Sequence, residues 1–423
     1  MKVTVHQPNY FPYPGLFHKI FLSDVFVIMD DVQFQFDITN RNKIISKNRG
    51  WDRITVPVKK NQTHKKIMDI EIILEPDLHP NELAELAVKA EEYGVRALWA
   101  SNYHQQWDAF MSLIPAAQQT KKILLGPLAV SPFEMHPLKM ANALLTLNEL
   151  SNGRAIIAVG AGGGTLGAMK FSCVKDSCPG LQPFRIIRAV KEAVEILTSA
   201  SEKKFNLKFE GDIFKITRPY MQGFTWAQSD RPKIYTCSTE PQMLRLGGQY
   251  ADGLQMSDVA LPMLEEAMKD IKTGLSKREN EIEDFRIGNF WAWHIKEDRE
   301  ASFKEARREL IFRGSLLPPF SLHHFLNEDE AQIVIDNYNA GPENEFAKAY
   351  ISRSGVIENV PEELVSKLIA DLSSAGDLND IDRELERFYE FKKAGMTDLS
   401  IRLFDDPMAG LKMIGEKVLP ALA

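Results

Sequence analysis

From residue 68 onward the chain repeats one unit, a short apolar run followed by an amphipathic helix pattern. The first runs occupy residues 70–74, 95–100, 123–130 and 155–160, and the first three lead into helical patterns at 81–93, 107–119 and 138–150. Apolar runs of this length alternating with helices predict parallel strands joined by right-handed crossovers. After a helix at 184–198 and an excursion over 200–232, strands are expected at 233–237, 253–256, 286–295 and 398–403. Helices are expected at 242–250, 261–275, 299–312, 381–394 and 407–422. Eight strands in unbroken alternation predict an α/β protein with a closed (β/α)8 TIM barrel, in preference to a doubly wound open sheet. The roughly 350 residues available exceed the ~250 of a plain barrel, so 200–232 and 314–375 are read as insertions. In such folds the chemistry gathers at the C-terminal ends of the strands.

Composition separates a different segment at the front. Residues 1–67 carry eleven Lys/Arg against five Asp and no Glu, a net of +6, whereas the whole chain of 423 residues has a net charge of -7. The first glutamate is Glu71, where the repeat begins. This break predicts two domains, 1–67 and 68–423, the first a small α+β segment with strands at 3–6, 25–29 and 54–58. An acidic chain of ordinary composition gives no reason to expect nucleic acid. No stretch reaches the ~20 apolar residues that span a bilayer, and the N-terminus lacks a signal-peptide core, so no membrane partner is expected. Three cysteines, Cys173, Cys178 and Cys237, are too few for a disulfide framework and are read as free thiols, with no metal site, in a cytoplasmic protein.

Several turns carry residues suited to binding or chemistry. Gly160-Ala161-Gly162-Gly163-Gly164 lets the backbone approach a flat ring, because no Cβ stands in the way. The same glycines formally match a dinucleotide fingerprint through Gly167, but a loop follows instead of a helix, so that reading is set aside. Ser238-Thr239-Glu240 precedes a helix, where hydroxyls and free N–H groups can hold a phosphate; either hydroxyl is equally an ordinary N-cap. Ser101-Asn102-Tyr103-His104 follows the second strand, and His104 brings an imidazole of the kind used in acid–base chemistry.

Four segments together resemble the bacterial luciferase-like superfamily, and within it the deazaflavin-dependent methylenetetrahydromethanopterin reductases. They are Ile70-Glu71-Ile72-Ile73-Leu74-Glu75-Pro76 with the helix after it, Leu125-Gly126-Pro127-Leu128-Ala129-Val130-Ser131-Pro132 followed by His136-Pro137, Thr239-Glu240-Pro241-Gln242 with Ala251-Asp252-Gly253, and Arg402-Leu403-Phe404. The resemblance implies a barrel that binds coenzyme F-420, or alternatively FMN, at its top face. It places a cis peptide bond at Leu128-Ala129, as a bulge supporting the back of the ring, so Leu128, Ala129 and Val130 are assigned to the cofactor. Gly160, Ala161 and Gly162 join them, as do Ser238 and Thr239 for phosphate and Gly253 near the ring. Relatives carry an Asp-His pair where this chain has Asn102 and Tyr103. Asn102 and His104 are therefore the expected catalytic residues, and the acid that often follows the glycine turn is replaced by Gly163 and Gly164.

The N-terminal segment resembles the start of WbqC-like proteins in His6-Gln7-Pro8-Asn9-Tyr10-Phe11-Pro12, Asp30-Asp31-Val32-Gln33-Phe34 and Thr55-Val56-Pro57-Val58-Lys59. It covers only the first part of such a protein and is read as an appendage. The function expected is an oxidoreductase moving a hydride between coenzyme F-420 and a small organic substrate, with a homodimer through barrel helices allowed. An FMN-dependent monooxygenase and a non-catalytic flavin-binding protein remain alternatives.

Overall fold

The computed structural model describes residues 1–6, 14–28, 41–46, 50–55, 68–162, 183–202, 207–217, 223–313 and 322–422. The chain divides into two compact units, Met1–Lys66 and Ile67–Leu422. In the first, Val3–His6 runs parallel to Val25–Ile28 with the helix Pro14–Phe21 between them. A hairpin pairs Arg41–Ser46 with Gly50–Thr55. The strand expected at 54–58 starts earlier, because its pairing with the preceding strand, and not its apolar content, sets its limits. Asp30 and Asp31 lie outside the described residues, as do Cys173 and Cys178.

The second unit is the barrel. Its strands are β1 (Asp69–Leu74), β2 (Ala97–Ser101), β3 (Leu124–Val130), β4 (Ile156–Gly160), β5 (Lys233–Cys237), β6 (Gly253–Ser257), β7 (Arg286–Trp293) and β8 (Asp398–Arg402). Each pairs in parallel with the next, and β8 pairs with β1, so the sheet closes. All eight expected strands are present. The crossover helices include α1 (Pro80–Tyr93), α2 (Ile114–Gln119), α3 (Pro137–Leu150), α4 (Pro183–Ser201), α5 (Pro241–Tyr250), α6 (Leu261–Leu275) and α7 (Arg299–Glu309). The single helix expected over 107–119 is divided: Ala109–Ser112 is a separate short turn, and Pro115 sits in the first turn of α2, where a missing N–H does no harm. The excursion after α4 contains a two-residue hairpin, Phe209–Glu210 against Lys215–Ile216. Among the described residues no helix is long and apolar enough to cross a membrane.

Period-two alternation sends strand side chains to two different cores. Ile70, Ile72 and Leu74 of β1 pack outward against the helices, while Ile73 joins Trp99, Leu128, Ile156, Ala158 and Tyr235 inside the barrel. Beside this inner apolar cluster lies a polar one. Glu71 is fully buried and accepts hydrogen bonds from Trp99 Nε1 at 2.7 Å, Gln255 Nε2 at 2.8 Å and Ser400 Oγ at 2.7 Å, besides pairing with Arg96. Arg96 also donates to the Tyr235 hydroxyl at 2.9 Å and lies 3.5 Å from Asp398. Arg286 bridges Asp398 and Asp69. Because β1 and β6 are not neighbours, the Glu71–Gln255 bond crosses the interior and ties opposite walls.

Asp398 is held well above its ordinary 3.8, at about 6, chiefly by burial and then by the neighbouring Glu71 charge. The folded state therefore binds more protons than the unfolded chain between these two values, and this group's contribution to stability falls as pH rises through that window. The unfolding free energy of the wild type relative to D398N, followed by urea denaturation, should decline steadily as pH rises from 4 to 7 and then level off. A difference independent of pH would refute this account of Asp398.

Candidate active site

All eight strands end on one face, and two kinds of surface meet there. The first is built around β3. Its register against β4 shifts between Leu128 and Val130, leaving Ala129 in a bulge, and the Leu128–Ala129 peptide is cis. Asn102, one residue past β2, holds this bulge: its backbone N–H donates to Leu128 O at 2.9 Å and its Nδ2 to Ala129 O at 3.1 Å. The same Nδ2 donates to Glu134 Oε1 at 2.6 Å, and Glu134 accepts from Ser131 N at 2.8 Å. Ser131 Oγ in turn donates to Ala161 O at 3.0 Å, joining the exits of β3 and β4. Ala129 is half-exposed and faces Gly160, where an added Cβ would come within 3.1 Å of the alanine methyl and 3.3 Å of Cys237 O. The result is a wall almost without side chains.

The expected cofactor residues distribute unevenly over this face. Leu128, Ala129, Gly160, Ala161 and Gly162 gather at the ends of β3 and β4, although Leu128 is buried in the inner core. Val130 points the other way, 2% exposed among the helices, so its side chain is not available to a ligand at the mouth. Ser238 and Thr239 follow β5. Ser238 Oγ accepts from Glu240 N at 3.1 Å, and α5 starts at Pro241 with no side-chain cap, so neither hydroxyl serves as the ordinary helix cap. Gly253 must be corrected. It is the first residue of β6 and lies at the barrel's opposite end, where a Cβ would meet Arg286 O at 2.8 Å and the Tyr235 ring at 2.9 Å. Close packing, not a ligand, explains its missing side chain.

The second surface is charged and lies over β8, β1 and β2. A cavity of about 780 Å³ opens there, with Glu75, Tyr103, His104, Arg308, Arg353, Arg402 and Phe404 in its walls. Arg402 at the end of β8 is clasped by both carboxylate oxygens of Glu75, one at 3.1 Å, and donates to the Tyr103 hydroxyl. Burial works against the Arg402 charge, but Glu75 and Tyr103 oppose it and hold the guanidinium cationic well beyond its ordinary range. Arg308 donates to Asp405 Oδ2 at 2.6 Å and Arg353 to Asp405 Oδ1 at 2.8 Å. Behind Phe404, the buried His294 stacks on its ring at 4.8 Å and pairs with Glu305 at 2.9 Å; burial pushes the imidazole below its ordinary value.

Of the two expected catalytic residues, His104 stands in the cavity wall and Asn102 does not. Both N–H bonds of the Asn102 amide are committed to the bulge, leaving only Oδ1 open. Sequence reasoning assigned no role to Glu75, Tyr103 or Arg402. The available signal was their place, each immediately at or after a strand's C-terminal end and, for Glu75 and Arg402, in the inward phase of the alternation. Replacing Asn102 by alanine leaves the Ala129 carbonyl and the Glu134 carboxylate without that donor, and should lower unfolding free energy by about 1–3 kcal/mol in urea denaturation. A change under about 0.5 kcal/mol would remove Asn102 from the bulge's support.

The chain is 27% identical over 350 residues to 5,10-methylenetetrahydromethanopterin reductase of Archaeoglobus fulgidus, covering 82% of this chain and 97% of the relative. Its fold is similar to the coenzyme F-420 dependent tetrahydromethanopterin reductase of Methanopyrus kandleri, with a TM-score of 0.68 at 22% identity over 84% of this chain and 99% of the other. It is also similar to the FMN-bound oxygenating constituent of 3,6-diketocamphane monooxygenase from Pseudomonas putida, with a TM-score of 0.56 at 17% identity, covering 84% and 98%. Residues 61–398 match the family model described as luciferase-like monooxygenase, and the chain belongs to that family.

Proposed function

We propose that this chain is an oxidoreductase that binds coenzyme F-420 across the mouth of the barrel and moves a hydride between it and a small organic substrate. The observation that carries this reading is the wall of Ala129, Gly160 and Ala161, poor in side chains and facing the same mouth as the charged cavity. A flat ring needs a surface of that kind, and a Cβ at Gly160 would crowd it. The uncapped start of α5, with Ser238 and Thr239 beside it, suits the phosphate of such a cofactor. When bound, the deazaflavin supplies the carbon that gives or takes the hydride. The protein's own part is to hold the ring against the bulge, seat the substrate in the cavity and keep water from the reacting atoms. Identity of 26% over 224 residues to the F420-dependent glucose-6-phosphate dehydrogenase of Amycolatopsis mediterranei supports F-420 over FMN.

Fluorescence titration of the purified protein tests this directly. F-420 should bind saturably and FMN should not, and G160L should weaken F-420 binding at least about tenfold, since the new side chain has no room at the wall. Tight FMN binding with no affinity for F-420 would replace this reading with an FMN-dependent monooxygenase. Binding without reoxidation of either reduced cofactor, by any substrate pool or by oxygen, would leave a non-catalytic flavin-binding protein.

Residues 1–67 are read, within the same proposal, as an appended WbqC-like fragment with no part in hydride transfer. Its basic charge and its own strand pairings support reading it as a separate folding unit. A chain lacking residues 1–67 should still unfold cooperatively on heating and keep its F-420 affinity within about threefold. Loss of cofactor binding in a folded truncation would assign the segment to the site.

A further inference from the structure

We propose that Tyr103 is the proton donor of the reaction, delivering its hydroxyl proton to the oxygen of a substrate carbonyl as the adjoining carbon receives the hydride. The proposal rests on the hydride-transfer reading above and names its substrate class as an aldehyde or ketone. Three observations carry it.

The first is position. Tyr103 follows Asn102, whose amide holds the β3 bulge, so its backbone is anchored where the bare wall meets the charged cavity. Its side chain is 39% exposed and forms part of that cavity's wall. The second is orientation. Arg402 Nη2 donates to the Tyr103 oxygen, and a phenol oxygen that accepts from a cation must direct its own single proton elsewhere. No described residue accepts that proton, which leaves the cavity for it. The third is rigidity. Arg402 cannot drift, since Glu75 grips it through both oxygens and its guanidinium lies 5.4 Å from the Phe404 ring centre. His104, next in the chain, is exposed, and no described residue fixes its imidazole. Of the two it is the less well placed to act at a defined atom.

The step balances. The hydride adds to the carbonyl carbon, and the carbon–oxygen π pair moves onto oxygen. That oxygen takes the proton as the Tyr103 O–H bond breaks. The product is an alcohol, and the reduced deazaflavin, which supplies the two electrons, is oxidised. The phenolate left behind sits on the Arg402 guanidinium, whose fixed charge opposes the charge that develops in the transition state. Water at the cavity mouth then returns the proton.

The full chain, saturated with reduced F-420, is mixed with acetone, cyclohexanone, glyceraldehyde and benzaldehyde, and cofactor oxidation is followed for wild type, Y103F and Y103H. For any probe the wild type reduces, Y103F should lose about 10²–10⁴ in kcat with KM within about threefold, and the solvent deuterium isotope effect should vanish. Y103H should recover part of the rate below about pH 6.5, where imidazole regains its proton. As a readout independent of turnover, the infrared carbonyl stretch of cyclohexanone bound with oxidised F-420 should be red-shifted in wild type and unshifted in Y103F. Equal kcat in wild type and Y103F would overturn the role of Tyr103 and leave the hydride-transfer reading intact. Cofactor binding without oxidation by any of the four carbonyl probes would overturn the substrate class, and Tyr103's role with it. Failure to bind F-420 at all would overturn the underlying reading.

Discussion

The carboxylate of Glu71 is the point on which the barrel closes. It is taken wholly out of water and repaid by donors from four different places: Trp99 on β2, Gln255 on β6, Ser400 on β8 and Arg96 just before β2. A buried charge is tolerated only when paired and fully hydrogen-bonded, so these contacts admit one register of the strands that supply them. Arg286 and Asp398 extend the same constraint to β7, and Tyr235 to β5. Six of the eight strands are thereby pinned near one end, with their opposite ends carried to fixed heights.

The mouth inherits its order from that floor. Two and four residues above Glu71 in the same inward phase stand Ile73 and Glu75; above Asp398 and Ser400 stand Arg402 and Phe404. The Glu75–Arg402 clasp is thus the upper counterpart of the Glu71–Ser400 bond below. On the other side, β3 and β4 end in residues with little or no side chain, and Asn102 spends its amide on holding their bulge. One half of the mouth is shaped for a flat surface, and the other carries fixed charge. That division, more than any single residue, is what makes hydride transfer between two bound molecules a natural use of the site.

Much of this was legible in the chain. The eight strands could be read because each is a short apolar run of strand length, and because helix and strand periods differ enough to alternate visibly. The position of the cis bond at Leu128-Ala129 came from family likeness; nothing in the local residue pattern demands it. Gly253 was placed wrongly because an Asp-Gly step looks the same at either end of a barrel, although its place as the first residue of a parallel strand was itself a clue. Tyr103 and Glu75 went unassigned because a tyrosine in a turn and a glutamate before a proline are ordinary until something is known to lie opposite them.

The sequence by itself determined the fold class and the end of the barrel where chemistry belongs, since both follow from local periodicity and from the handedness of parallel crossovers. Only the tertiary structure decided which side chains meet. Glu71 and Ser400 are 329 residues apart, and Glu75 and Arg402 are 327. Contacts of that span depend on closure of the whole sheet, and no local pattern encodes them.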